Sequence, residues 1–308
     1  MPIDHPDFRA ALQAAGLVPP DRLINDRRTH RCQVAGKKPS NRGGSYMLTE
    51  DGGMGGYRNW SAGGEWEVWK AAEPSGLTPE QRRQIHEVAR QATAERLAEE
   101  ERLREAARLK ALDMWGKATE GLHPYLDRKG ICSNGSRVLG DLLLVPVRDF
   151  DGHIHSVQTI AADGTKKFLL GGRVKGCCHW IRIGQETGPA VYVCEGFATG
   201  STIHSAMCGR PVVVAYNCGN LLPVCGELRR RLPKTRIVVC ADNDHSSPDN
   251  PGLTKATEAA AAIHARLAVP TGMAGTDFND LMQERGIGEA KRQLSSTKAS
   301  LTAIRGVA

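Results

Sequence analysis

The feature that most constrains the fold is an alternation of short apolar runs and helix-forming segments between about residues 190 and 290. Apolar runs begin at Val191, Val212 and Ile237, and a stretch of helical composition follows each of them. The third of these stretches is rich in Ala and predicts a helix over residues 253–267. Strands that are apolar on both faces and separated by helices are typical of a parallel sheet covered on both sides. The alternation predicts an α/β domain whose functional residues lie at the carboxyl ends of the strands.

Acidic residues follow two of these predicted strands. Glu195 comes after the first strand, and Asp242 and Asp244 come after the third. Parallel strands of one sheet deliver their carboxyl ends to the same edge, so we expect the three carboxylates to converge. Clustered carboxylates repel one another and lose solvation unless a cation neutralises them. Oxygen ligands of this kind suit Mg²⁺ or Mn²⁺, and the sequence predicts such an ion at this edge.

Helix capping is the alternative role for acids in turns between strands and helices. For Asp280, capping and metal binding are equally favoured interpretations. For Asp249, capping is the preferred interpretation. For the three acids named above capping is rejected, because they follow neighbouring strands of one predicted sheet.

Four segments, in this order, carry a resemblance to a known family: EGFATG (195–200), VVVAYNCGNL (212–221), VVCADNDH (238–245) and DFND (277–280). Together they resemble a TOPRIM domain, the metal-binding α/β module of bacterial-type primases, topoisomerases and certain nucleases. Upstream segments are similar to the basic half of the bacterial primase core: HPYLDRKGI (123–131), LLVPVRDFDGHIHSVQTI (143–160), TKKFLLGG (165–172) and Lys175-Gly176. The greatest similarity is to primases of plasmids, phages and other mobile elements.

This resemblance implies an α/β fold in which a parallel-sheet TOPRIM domain follows an α+β primase-core lobe and a small β-rich N-terminal domain. It implies that Glu195 is a general base or metal ligand, and that Asp242 and Asp244 are the metal-binding pair. Asp277 and Asp280 fall in a later acidic motif, for which the resemblance implies a supporting or second-ion role.

A run of cations supplies the candidates for binding nucleic acid or nucleotide phosphates. It comprises Lys166, Lys167, Arg173, Lys175 and Arg182. No acid lies between the first and last of them, and Lys and Arg in a glycine-punctuated loop can approach phosphate closely. A solvated surface is the usual role of a charge run, but proximity to the predicted acids favours phosphate binding.

The first 72 residues predict one helix over about residues 6–16 followed by small hairpins. The rhythm is that of a zinc ribbon without its ligands, because His30 and Cys32 have no second ligand pair, and no zinc is expected. The segment resembles the metal-free N-terminal modules of some mobile-element primases. Candidate template contacts are Arg27, Arg28, Arg31, Lys37, Lys38, Arg42 and Trp60. For Trp60, stacking against DNA and a place in the small core both remain open.

Composition divides the chain into five segments. These are an N-terminal domain (1–72), a helical connector (73–114), a basic lobe (115–187), a TOPRIM domain (188–295) and a tail (296–308). The connector lacks Gly and Pro from residue 80 to 114 and predicts one long, mostly solvated helix over 78–112. Thr78 is the candidate capping residue of this helix. Apolar runs and turns in the basic lobe predict antiparallel strands over 142–147, 153–160 and 167–170.

The net charge of +7 indicates a polyanionic partner. No run of about 18 apolar residues and no signal-peptide layout occurs, so we expect a cytoplasmic protein without membrane contact. The chain also has no P-loop motif and therefore no helicase motor of its own.

These features predict a DNA primase that makes short RNA primers on single-stranded DNA from ribonucleoside triphosphates by metal-dependent nucleotidyl transfer, with a replicative helicase as candidate partner. A TOPRIM nuclease or topoisomerase-like enzyme is the first alternative, and the upstream primase-like half argues against it. A non-catalytic single-stranded-DNA-binding module is the second. Such a module would not need clustered carboxylates, which repel phosphate.

Overall fold

A computed structural model describes residues 5–50, 52–71, 79–182, 188–247 and 249–299. The chain divides into two compact units, residues 1–100 and 101–308. The division falls inside a 39-residue helix, α2.

The first unit is built on an antiparallel sheet whose five strands follow one another in chain order. Its elements are α1 (Pro6–Ala14), β1 (Leu17–Val18), β2 (His30–Val34), β3 (Gly44–Leu48), β4 (Met54–Asn59) and β5 (Glu67–Lys70). Phe8 and Leu12 of α1 pack against Tyr46 and Leu48 of β3 to form its core. Gly55 is required beside this core, because a Cβ there would lie 2.8 Å from the Phe8 ring.

Helix α2 spans Pro79–Lys117 and is five residues longer at its carboxyl end than predicted. Its predicted capping residue Thr78 lies outside the described residues. Charges pair along the helix, as between Arg108 and Glu105 at 2.7 Å, while Ala107 and Ala111 are buried. No helix in the described part of the chain combines the length and the apolar composition that a membrane span requires.

A four-stranded antiparallel sheet opens the second unit. Its elements are α3 (Pro124–Lys129), β6 (Arg137–Leu139), β7 (Leu142–Arg148), β8 (Ile154–Ile160) and β9 (Lys166–Phe168). The predicted strands of the basic lobe are present with ends shifted by one or two residues, and β6 is an additional strand.

A six-stranded sheet with strand order β10-β12-β11-β13-β14-β15 forms the rest of the second unit. The strands are β10 (His179–Ile181), β11 (Ala190–Cys194), β12 (Val212–Val214), β13 (Arg236–Cys240), β14 (Arg266–Ala268) and β15 (Lys298–Ala299). The helices are α4 (Phe197–Ala206), α5 (Leu221–Arg231), α6 (Pro251–Ala262) and α7 (Phe278–Ser295), the last kinked at Gly286. The four central strands run parallel, and the two outer strands are antiparallel to their neighbours.

Both faces of this sheet are covered, as the strand composition requires. Val191 and Val193 of β11 pack with Leu228 of α5, whereas Tyr192 and Cys194 point to the opposite face. The parallel strands β11, β12 and β13 therefore present their carboxyl ends at one common edge.

The helix predicted over 253–267 is shorter than expected. Helix α6 ends at Ala262, and His264 has a φ of 52°, in the left-handed region where a helix cannot continue. Residues 266–268 instead form β14, which pairs in parallel with β13. The change from helix to strand could not be predicted from this run of Ala, Leu and Val, because its composition suits a helix and a short buried strand equally.

Candidate functional site

The carboxyl edge of the central sheet gathers four acids. Glu195 directly follows β11, Asp242 and Asp244 follow β13, and Asp277 directly precedes α7. We call Glu195, Asp242, Asp244 and Asp277 the acidic edge. Their charges act on one another: burial, then the charges of Glu195, Asp277 and Asp244, raise the pKa of Asp242 well above its usual range.

Glu195 is perturbed in the same direction. Burial and, after it, the charge of Asp244 raise its pKa from 4.5 to about 7, although a backbone hydrogen bond with Cys218 lowers it. Cys218 begins a short 3₁₀ helix, Cys218–Asn220, just after β12. The carboxyl group of Glu195 therefore lies between two neighbouring strand ends.

Two carboxylate oxygens of the acidic edge are buried without a partner. Oε1 of Glu195 and Oδ1 of Asp242 are shielded from solvent and accept no hydrogen bond. A buried, unpaired carboxylate oxygen is costly and marks a place where a cation would relieve the cost. The donors are all carboxylate oxygens, the type that Mg²⁺ and Mn²⁺ prefer. In the part of the chain that the structure describes, no three His, Cys, Asp or Glu side chains are already grouped as ligands for one ion.

Asp244 has a second contact at the start of α6. Its Oδ2 accepts a 3.3 Å hydrogen bond from the backbone N–H of Gly252. A Cβ at Gly252 would lie 2.6 Å from the backbone oxygen of Asp242, so a glycine is needed for this close approach. The predicted cap at Asp249 is wrong: Asn250, whose side chain accepts from the N–H of Leu253, caps the helix.

The acids of the segment 277–280 have different surroundings. Asp277 caps α7, accepting hydrogen bonds from the N–H groups of Asn279 at 2.7 Å and Asp280 at 2.9 Å. Asp280 is not the cap, which corrects that alternative, because the residue with extended backbone before the first helical turn is Asp277. Asp280 instead pairs with Lys129 at 3.3 Å and accepts from the N–H of Thr276.

Sequence reasoning missed Lys129 as a cation beside the acidic edge. Its ammonium group pairs with Asp280, and its backbone oxygen accepts a 2.8 Å hydrogen bond from the buried amide of Asn279. The same amide donates to Thr202 at 2.9 Å. Lys129 lies within the HPYLDRKGI segment, but the pairing joins positions 151 residues apart, which no local pattern could reveal.

The predicted phosphate-binding cations are not all in one place. Lys166 and Lys167 lie on β9, and the charge of Lys166 acts on Asp242 to lower its pKa. Arg173 and Lys175 are exposed in the connection between β9 and β10. Arg182 follows β10, whose Ile181 pairs with Val212 at the amino end of β12, so Arg182 lies at the sheet end opposite the acidic edge, over the Trp180 ring.

The candidate template contacts of the first unit form an exposed set. Arg27, Arg28, Arg31, Lys37, Lys38 and Arg42 are all exposed. Trp60 is 46% exposed, with the Arg58 guanidinium 3.6 Å and the Arg31 guanidinium 5.3 Å from its ring centroid. Its indole N–H donates to Ser45 at 3.0 Å. Trp60 is thus a surface ring flanked by cations, not a core residue.

Comparison with known proteins finds a family model that matches the segment with the acidic edge, and two relatives that match most of the chain. Residues 190–288 match the family model of the Toprim domain. Two proteins named DNA primase TraC from Escherichia coli are similar to most of the chain. One is 31% identical over 283 residues, covering 86% of this chain and 26% of that protein. The other is 27% identical over 281 residues, covering 86% and 19%. The chain thus spans about a quarter and a fifth of the length of these curated relatives.

Solved primase structures are more distant. The primase fragment of the bacteriophage T7 primase-helicase protein is 18% identical with a TM-score of 0.43, covering 83% of this chain and 95% of that one. The RNA polymerase domain of Mycobacterium tuberculosis primase DnaG is 16% identical with a TM-score of 0.39, covering 60% and 70%. Residues 190–288 thus match the Toprim family model, and most of the chain is similar in sequence to proteins named DNA primase TraC.

Proposed function

We propose that this chain is a primase module that synthesises short RNA primers on single-stranded DNA from ribonucleoside triphosphates. The observation that carries the proposal is the acidic edge, where Glu195 and Asp242 hold buried carboxylate oxygens without partners. It lies in a Toprim domain, in a chain 31% identical over 283 residues to a protein named DNA primase TraC.

Glu195, Asp242 and Asp244 would hold the Mg²⁺ or Mn²⁺ ion, and Asp277 and Asp280 would support them. A divalent ion at this edge supplies positive charge that stabilises the triphosphate and the leaving pyrophosphate. General base is the alternative role of Glu195, in which its carboxylate would accept the proton of the primer hydroxyl.

The cations near this edge would bind phosphate. Lys166 acts on Asp242 across the site, and Lys167 lies beside it on β9. Arg173 and Lys175 extend the positive surface toward the template or the incoming nucleotide. Arg182 belongs to a separate part of this surface and would contact the strand away from the reacting groups.

The remaining assignments concern the modules of the chain. Residues 115–187 would form the basic primase-core lobe and residues 188–295 the parallel-sheet TOPRIM domain. Residues 1–72 would form a metal-free template-binding domain, in which exposed cations track the backbone and Trp60 stacks on a base. A replicative helicase is the candidate partner, since the chain has no P-loop.

Primer synthesis on single-stranded DNA with labelled ribonucleotides tests the proposal. We expect the wild type and the exposed-site control Asp249→Asn to make short oligoribonucleotides with Mg²⁺ or Mn²⁺ and none with EDTA. Asp242→Asn and Glu195→Gln should lose at least about 100-fold in rate, since each removes charge stabilisation in the reacting site.

Two results would contradict this function in different ways. Metal-dependent nicking of the template without primers, lost in Asp242→Asn, would assign the acidic edge to strand cleavage. Equal DNA binding by all variants, with neither synthesis nor cleavage after a replicative helicase is added, would indicate a binding module.

A further inference from the structure

The exposed cations Arg173 and Lys175 lie on a segment with little regular structure of its own. We call residues 173–178 the basic loop. The exposed side chains of Arg173 and Lys175 lie on either side of Val174, which packs against the core. Gly176 has a φ of 72°, so the chain turns sharply there. Something other than secondary structure has to fix where the two cations stand.

The side chain of Asn220 provides this constraint. Its amide nitrogen lies 3.1 Å from the backbone oxygen of Val174 and 2.9 Å from that of Cys177, and its amide oxygen accepts from the N–H of Gly176 at 2.8 Å. The same nitrogen donates to the backbone oxygen of Ala215 at 2.9 Å. One buried side chain thus holds Val174, Gly176 and Cys177 of the basic loop against the end of β12.

Asn220 also lies close in the chain to the acidic edge. It ends the 3₁₀ helix that begins with Cys218, whose backbone hydrogen-bonds with the Glu195 carboxyl group. Ala215 and Tyr216 donate their backbone N–H groups to the backbone oxygens of Cys194 and Glu195. The basic loop is therefore joined through Asn220 to the backbone that positions Glu195.

We propose that Asn220 is a positioning residue that sets the phosphate-binding cations Arg173 and Lys175 at a fixed distance from the acidic edge. This inference rests on the proposed function, because it assigns phosphate binding to the two cations. The ligand chemistry is a phosphate group, carried either by a DNA strand or by a nucleoside triphosphate.

Only a planar amide can satisfy this arrangement. The site needs one acceptor for the Gly176 N–H and a donor nitrogen facing three carbonyl oxygens. Asn220→Asp keeps the size and the acceptor but turns an oxygen toward the carbonyls. The loop should then detach while the rest of the sheet keeps its contacts.

Asn217→Asp is a matched control three residues away. The Asn217 side chain only accepts a hydrogen bond, from the Asn220 N–H at 3.0 Å, and a carboxylate keeps that contact. It adds the same formal charge at the N-cap of the same short helix and removes no donor that holds the basic loop. Any difference between the two variants therefore reflects the bonds to the basic loop.

The test measures binding of a labelled oligo-dT strand with EDTA present, across a series of salt concentrations, and binding of a fluorescent ATP analogue with Mg²⁺. Removing both cations (Arg173→Gln with Lys175→Gln) should lower the salt-dependence slope for this single strand by about 1.4, roughly 0.7 for each phosphate contact. Asn220→Asp should lower it by a similar amount, Asn217→Asp should not, and adding Asn220→Asp to the double-cation variant should cause no further loss. Comparing the binding of the ATP analogue with that of oligo-dT shows whether the two cations bind the phosphates of a nucleotide or of a DNA strand.

The outcomes distinguish a failure of the phosphate-binding role from a failure of the positioning role of Asn220. If removing both cations leaves DNA and ATP binding unchanged, the phosphate role in the proposed function fails, and this inference fails with it. If removing them weakens binding while Asn220→Asp binds like Asn217→Asp, or if the losses add, Asn220 is a structural residue only. Should Asn220→Asp not fold, judged by its circular dichroism and melting temperature, Asn220→Ser takes its place under the same criteria.

Discussion

Replacing Glu195 by Gln should stabilise the metal-free protein above neutral pH. In the folded chain, burial and the charge of Asp244 raise the pKa of Glu195 from 4.5 to about 7. A carboxyl group whose pKa is raised on folding binds protons more tightly in the folded state. Stability therefore falls as pH rises from about 4.5 to 7, and the whole penalty is present above pH 7.

The size of the penalty follows from the shift. About 2.5 pKa units at 1.36 kcal/mol each give at most about 3 kcal/mol of destabilisation at pH 8. For a unit of about 200 residues, 3 kcal/mol corresponds to roughly 6–12 °C in melting temperature. Glu195→Gln removes the charge and keeps the shape, so it should recover most of that difference.

Thermal unfolding at pH 4.5 and pH 8, with EDTA or with millimolar Mg²⁺, measures the effect. We expect Glu195→Gln to melt above the wild type at pH 8 in EDTA and at the same temperature at pH 4.5. Mg²⁺ should raise the wild type more than the variant. The control Glu258→Gln removes an exposed charge on α6 and should change little. Equal melting of Glu195→Gln and wild type at pH 8 in EDTA would refute the reasoning.

Three further predictions concern the second unit. Burial acts to raise the pKa of Asp149, but hydrogen bonds from His155 and from backbone N–H groups lower it to about 2. Asp149→Asn should therefore lose up to about 2 kcal/mol in urea unfolding at pH 7, a deficit that disappears as pH falls from about 4 to 2. Tyr216→Phe removes the 2.5 Å hydrogen bond to the backbone oxygen of Pro146 and should cost about 1–3 kcal/mol in the same assay. Asn279→Leu removes two buried hydrogen bonds and should lower the melting temperature by several degrees, unlike the exposed control Glu258→Gln.

The parts of the site that sequence could predict are those encoded by a local pattern. An apolar strand followed within two residues by an acid places Glu195 and Asp242 at the carboxyl ends of β11 and β13. The end of α6 could not be predicted, since it depends on the left-handed backbone of His264 within an Ala-rich run that favours helix.

Pairings between distant segments were also beyond the sequence. Lys129 meets Asp280 only after α3 packs beside α7, and the two cation groups of the basic run separate because β10 runs antiparallel to β12. Arg182, seven residues beyond Lys175 in the sequence, consequently lies at the opposite end of the sheet from the acids. The sequence shows how many charged residues lie in a segment, but the direction of each strand determines at which end of the sheet they lie.

The acidic edge and the basic loop are best understood as one electrostatic arrangement. Four mutually repelling carboxylates, two of them with unpartnered buried oxygens, are destabilising in the protein alone. A sequence selected for stability alone would replace one of them, and their joint presence therefore supports the proposal that this edge binds a cation. In the proposed function, a divalent ion at the acidic edge would neutralise the acids, and Lys166 and the basic loop would supply the cations that hold phosphate. The same residues that weaken the free protein are therefore those whose replacement should weaken synthesis most.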